Sequence, residues 1–297
     1  MDKFLQLFVS GVALGGIYAL IALGFVVIYK ATGTFNFAQG GFVLLGTYLA
    51  YQFSNVWDVN FYLSVLISIA IMAAVAMLIE RTVLRRMMNQ PSFTIILVTV
   101  GILLFLQQLV PIIWDDPGLR FETPWLGQVV EIGDVSISHA NIWTVIYATL
   151  VFVAFALFFK FTRTGIGMQA AALDQEAAAA QGISVARSFQ VSWAIAGAVA
   201  VIAGVMLVAR GGDALTPAIG FVALRAFPAM ILGGLDSPGG AVVGGVIIGV
   251  AEVLTAGYLE YEWLGANFSS VVPYIVLILV LLVRPSGLFG TREVERV

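Results

Sequence analysis

Arg163-Thr-Gly-Ile-Gly-Met-Gln-Ala-Ala-Ala-Leu-Asp-Gln-Glu-Ala-Ala-Ala-Ala-Gln-Gly-Ile-Ser-Val-Ala-Arg187 is a polar, alanine-rich segment set between two apolar runs, 139–160 and 189–209. It is too polar to remain in lipid. Ala, Leu, Met, Gln and Glu are strong helix formers, so it is also more than a plain linker. Lys160 and Arg163 stand before it and Arg187 after it. Lys and Arg concentrate in the cytoplasmic loops of membrane proteins. The connection 161–188 therefore reads as a short helix held on the cytoplasmic side between two membrane spans.

The rest of the chain agrees. It is 61% hydrophobic and 10% charged, against about 25% charged for a soluble domain. Apolar runs fall near 4–29, 36–54, 61–79, 92–114, 139–160, 189–209, 218–235, 239–258 and 267–283. A spanning helix needs about 20 such residues, whereas a barrel shows short alternating segments. The chain is thus an all-α polytopic membrane protein with about eight or nine transmembrane helices. The runs 36–54 and 218–235 are short and interrupted by Gly or Pro, and 239–258 is rich in Gly. Irregular backbone survives in a membrane only against protein or a wet path. These three are expected to be broken or re-entrant segments near a transport path. The apolar run after Met1-Asp2-Lys3 reads as a first span rather than a cleaved signal.

Lys30, Arg81, Arg85, Arg86, Lys160, Arg163, Arg187, Arg284, Arg292 and Arg296 mark one side as cytoplasmic, while Asp58, Asp115, Asp116, Glu122, Glu131, Asp134, Glu260 and Glu262 mark the other. Nine crossings put the N-terminus outside; one re-entrant run puts it inside. The external loop 115–138 ends in Val130-Glu-Ile-Gly-Asp-Val-Ser-Ile137, alternating about a Gly-Asp pair as a short β-hairpin does. That hairpin either caps the bundle or receives a soluble partner. Gly240/Gly244 and Gly245/Gly249 have the spacing that lets helices approach closely, within this chain or against a second subunit.

Four of the polar residues inside the runs bear on function. Asn36 and Gln39 begin one, and a buried amide must pair at a helix break or face water. Arg225 and Glu252 lie on runs joined by the tight turn Gly233–Gly240, so they are expected to be paired or to face one aqueous cavity. Enzymatic signatures are missing. None of Lys3, Lys30 and Lys160 sits in a phosphate-binding loop, His139 has no metal-ligand companions, and there is no cysteine. With no catalytic residue and no metal site expected, the energy for transport must come from another subunit, or from ion coupling if the chain is a self-sufficient secondary transporter or channel.

Glu176-Ala-Ala, three residues, then Gly182 resembles the loop by which ABC importer permeases dock onto their ATPases. Arg163-Thr-Gly-x-Gly-Met and Gly182-Ile-Ser-Val-Ala-Arg187 narrow the resemblance to the branched-chain amino acid permease family. Gly15-Gly-Ile-Tyr18-Ala-Leu20, Asn36-Phe-Ala-Gln39-Gly, Leu232-Gly-Gly-Leu-Asp-Ser237 and Pro285-Ser-Gly-Leu-Phe-Gly290 follow in the family's order. Gly41 stands where the family commonly has Glu. The resemblance implies the ABC importer permease fold in one transmembrane domain, 1–297, in a bacterial inner membrane. It implies a second homologous permease or a second copy, two cytoplasmic ATPases, an external binding protein and surrounding lipid, and no nucleic acid. ATP is used by the partners, and this chain holds no cofactor. The implied docking residues are Gly165, Asp174, Glu176, Ala177, Ala178 and Gly182; those bordering the substrate path are Tyr18, Asn36, Gln39, Arg225 and Glu252.

Overall fold

The structure, a computed structural model, describes residues 2–87, 90–114, 119–133, 135–211, 215–259, 268–284 and 286–290. Asp115, Asp116, Asp134, Glu260, Glu262, Pro285, Arg292 and Arg296 lie outside the described residues. Each apolar run is helical. Six helices are long and apolar enough to cross a membrane: α1 (Asp2–Thr32), α3 (Phe61–Thr82), α4 (Ser92–Ile113), α5 (His139–Phe161), α8 (Val185–Gly211) and α10 (Pro238–Tyr258). Three are shorter: α2 (Gln39–Tyr51), α9 (Val222–Gly233) and α11 (Val272–Val283). The polar connection holds α6 (Arg163–Leu173) and α7 (Gln175–Ala180).

Length explains the breaks. Helix α2 runs on through a wider helical turn to Val56, and at 1.5 Å per residue or less the whole rises at most about 27 Å, short of the roughly 30 Å hydrocarbon layer. The stretch before it turns inward from the exposed Gly33, and Asn36 is 1% exposed. Gln39 packs on Gly24, well before the end of α1. The 3-10 turn Pro217–Phe221 enters α9 from the other direction, so that Gly220 meets Gly40. Two helix starts therefore face each other inside the bundle. Phe25, Phe35 and Phe37 close around Phe227, with ring centroids 5.5–5.6 Å apart.

The run 239–258 departs from expectation. It is a continuous helix, α10, and its glycines are packing faces rather than breaks. Gly240 and Gly244 lie against Gly233 and Ala229 of α9, while Gly245 and Gly249 lie against Ala19 and Gly15 of α1. Both small-residue pairs are thus consumed within this chain, and neither is left for a second subunit. A Cβ on Gly245 would come within 2.6 Å of the Ala19 nitrogen, so only glycine lets these backbones meet.

Helix α1 sits at the centre. From Gly11 to Ile28 it is apolar all round and nearly wholly buried, as a core helix should be. Helices α5, α8, α9 and α10 surround it. Helices α3, α4 and α5 instead expose Leu66, Phe105 and Leu150, the surface that suits lipid. The connections bearing Lys30, Arg85, Lys160 and Arg163 share one end of the bundle, hereafter the basic end. There the tail Ser286–Gly290 folds onto the α9–α10 turn, Leu288 and Phe289 donating to the carbonyls of Leu232 and Gly233.

At the opposite end, β1 (Val129–Ile132) pairs antiparallel with β2 (Val135–Ser138), Ile132 opposite Val135. Gly133, at φ 64°, supplies the left-handed turn residue. The hairpin packs on α1 and α5, and so caps the bundle.

Candidate functional site

The helix contacts just described assemble a buried charge cluster. Tyr18 of α1 and Glu252 of α10 face each other where the glycine seam brings the two backbones together. The Tyr18 hydroxyl donates to Glu252 Oε2 at 2.7 Å. Arg225 of α9, antiparallel to α10, reaches the other carboxylate oxygen, Nη1 to Oε1 at 3.5 Å. The Glu252 side chain is 9% exposed and that of Arg225 41%. Each carboxylate oxygen thus has its own donor, which offsets the cost of taking a charge out of water.

A fourth helix, α8, adds Arg210 from its last turn. Its Nε donates to Asn141 Oδ1 at 3.0 Å, and its Nη2 to Ser10 O at 3.0 Å and Ser10 Oγ at 2.7 Å. Its partners are thus on α1 and α5, and the guanidinium bonded to the Glu252 carboxylate is that of Arg225. Sequence reasoning missed Arg210. Its signal was an Arg at the acidic end of a span, against the charge bias of the rest of the chain.

Asn36 and Gln39 form a separate group. Asn36 Oδ1 accepts from the Ala38 nitrogen at 3.1 Å, turning the chain into α2. Gln39 Nε2 donates to the Ala196 carbonyl of α8 at 3.2 Å. Asn36 Nδ2, Gln39 Oε1 and, on α4, Gln107 Nε2 are buried without a partner. These unpaired amide atoms lie about the two facing helix starts. Tyr18, expected to border this break, joins Glu252 instead, because it points away from the α2 side of α1. A glutamate at position 41 would not fit unchanged: a Cβ there would meet Leu106 Cβ at 3.1 Å. Asn36→Ala removes the acceptor for Ala38, and the expected cost is about 1–2 kcal/mol. A lowered unfolding temperature in detergent checks this, and uptake per folded molecule shows whether the break also borders the path. Wild-type uptake by both Asn36→Ala and Gln39→Ala makes the region structural only.

At the basic end, Thr162 caps α6 by accepting from the Gly165 nitrogen at 3.0 Å. Asp174 Oδ1 caps α7, accepting from Glu176 and Ala177 nitrogens at 2.9 Å each. Gly182, at φ 81°, ends it: its nitrogen donates to Ala179 O and that of Ile183 to Ala178 O, the paired bonds of a glycine helix stop. Asp174, Glu176, Ala177 and Gly182 are exposed. Two expected docking residues are not. Ala178 is 4% exposed, its side chain turned into the bundle. Gly165 is buried because α6 folds back onto α5, where a Cβ would strike the Phe158 carbonyl. Leu173, the last residue of α6, is 90% exposed beside them.

A family model described as branched-chain amino acid transport system, permease component, matches residues 7–281. The chain belongs to this permease family. It is 35% identical to the high-affinity branched-chain amino acid transport system permease protein LivH of Salmonella typhimurium, over 99% of this chain and 98% of that protein. It is 32% identical to the corresponding permease protein BraD of Pseudomonas aeruginosa, over 99% and 98%. The solved structure of PsaBC from Streptococcus pneumoniae in complex with Fab aligns over 96% of this chain and 93% of its own, at 12% identity and a TM-score of 0.49.

In this permease the family's Tyr-Ala-Leu motif is the segment that supplies Tyr18, and its closing Gly-Leu-Phe-Gly motif braces the α9–α10 turn that sets Arg225 opposite α10. Among the described residues no group of three His, Cys, Asp or Glu is placed to hold a metal ion. His139 opens α5, its backbone nitrogen bonded to Gln128 O at 3.0 Å.

Proposed function

We propose that this permease is the membrane subunit of an ATP-driven ABC importer of branched-chain amino acids or related small polar solutes in a bacterial inner membrane. It acts as one transmembrane domain beside a second homologous permease or a copy of itself. Two cytoplasmic ATPases hydrolyse the ATP, an external binding protein delivers the solute, and the spans alternate access. The observation that carries the reading is the exposed, doubly capped α7 with Leu173, Asp174, Glu176 and Ala177 at the basic end: a rigid surface attached directly to α8. Arg225 supports the location of the path. A half-exposed guanidinium part-way along a span is costly against lipid, so its face of α9 suits a wet path or the second permease.

The test is reconstitution with the ATPases and binding protein in proteoliposomes. Uptake is expected only with ATP on the ATPase side and the binding protein on the other. Glu252 and Tyr18 form the kind of buried, ionisable pair that a proton-coupled carrier needs. Uptake by the permease alone, driven by a proton gradient, would therefore overturn the importer reading in favour of a secondary transporter.

A further inference from the structure

A second ion pair occupies the basic end of the spans. Glu80, in the last turn of α3, is 1% exposed. Arg85, just beyond it, grips the carboxylate with two bonds, Nε to Oε1 at 3.1 Å and Nη2 to Oε2 at 2.9 Å. The same Nη2 donates to the Ala186 carbonyl at 3.2 Å. Ala186 lies in the first turn of α8, near the end of the polar connection 161–188. Farther along, Gly197 of α8 sits against the Met72 carbonyl of α3. The two helices are thus joined by packing along their length and by one directional polar clamp at their basic ends.

Beside the clamp lies a cavity of about 90 Å³. Its walls include Glu80 and Arg85, Thr34 of the break before α2, Gln175 at the start of α7 and Trp193 of α8. The docking helix, the helix break and two spans therefore border one small void with a charged wall. Holding α3 to α8 does not require a charge. A well-packed apolar pair is often as stable as a buried ion pair, whereas the forked guanidinium–carboxylate fixes direction as well as distance.

We propose that Glu80 and Arg85 are positioning residues that transmit the movement of the docking segment to the spans. Arg85, oriented by Glu80, ties the start of α8 to the end of α3, so that a displacement of α7 moves both helices together. Without the clamp, α7 and the first turn of α8 move into the adjacent void and the spans do not follow. This rests on the importer reading, with the connection 161–188 as the ATPase contact.

The experiment compares wild type, Glu80→Gln, Arg85→Lys and the double variant Glu80→Gln/Arg85→Gln in complexes purified with the ATPases. The double variant leaves no buried charge unpaired, so it folds even where a single variant does not. ATPase co-purification, unfolding temperature, ATP hydrolysis and uptake of a radiolabelled branched-chain amino acid are measured together. Expected is uptake per ATP hydrolysed about tenfold lower in the double variant, hydrolysis itself within about twofold of wild type, and partial recovery in Arg85→Lys. An unchanged ratio overturns the proposal, as does a parallel fall of uptake and hydrolysis with a lowered unfolding temperature, which marks a structural staple. Failure of the wild-type permease to retain ATPases overturns the docking reading itself, a result distinct from intact coupling in the variants.

Discussion

Gly182→Leu is expected to abolish ATP-driven uptake while leaving membrane insertion intact. Gly182 holds φ 81°, and a Cβ there meets nothing within 4 Å. The substitution is therefore not blocked by crowding. A left-handed conformation costs an L-residue about 1–2 kcal/mol, enough to unwind the stop that ends a six-residue helix such as α7. The bonds from Gly182 and Ile183 to Ala179 and Ala178 would be lost. The docking face would then lose its shape, whereas the spans, which bury their own surface, would not. Gly182→Asn is the control, since Asn tolerates this conformation. It is expected to retain most ATPase attachment. Pull-down of the ATPases with uptake measured alongside decides the matter. A Gly182→Leu permease that binds ATPases and transports normally sinks the assignment of α7 as the docking helix.

Glu252→Ala is expected to be the most damaging change within the spans. It removes the partner of the half-exposed Arg225 and leaves the buried Tyr18 hydroxyl without its acceptor. An unsatisfied buried polar group costs about 1–3 kcal/mol. The yield and unfolding temperature of purified permease should both fall. Glu252→Gln keeps an oxygen for Tyr18 and isolates the effect of charge, so it should fold and lose uptake if the cluster borders the path. Partial rescue on exchanging Arg225 and Glu252 would support their pairing, which the structure shows at 3.5 Å. An arginine at 252 would also meet the Tyr18 hydroxyl, which now donates to the carboxylate. The neutral pair Arg225→Gln/Glu252→Gln is expected to recover folding where the exchange does not. Glu252→Ala with wild-type stability would refute the cluster.

The succession of spans was legible in the chain itself. In lipid every backbone polar group must be satisfied within its segment, so long apolar runs have helices as their only solution. The hairpin at 129–138 was legible because strand alternation and its turn residues are local. So was the short helix α7, through its alanines and through Gly182, whose conformation few other residues adopt. The orientation of α7 was not. Ala177 and Ala178 are identical in sequence, and only the docking of α6 and α7 onto the bundle turns the second inward.

The glycines of α10 mark the boundary between what the sequence determined and what it left open. Their composition suggested breaks, yet the chain alone cannot say whether a small residue weakens a helix or admits a neighbour. The approach of α1 and α9 decided for packing. That approach also brings Tyr18 to Glu252, 234 positions apart, and sets Arg225 on the same carboxylate. Local propensity fixes which segments are helical, because each helix satisfies its own backbone. Charge pairing and burial depend on which helices touch, and that is settled only when the whole bundle closes around α1.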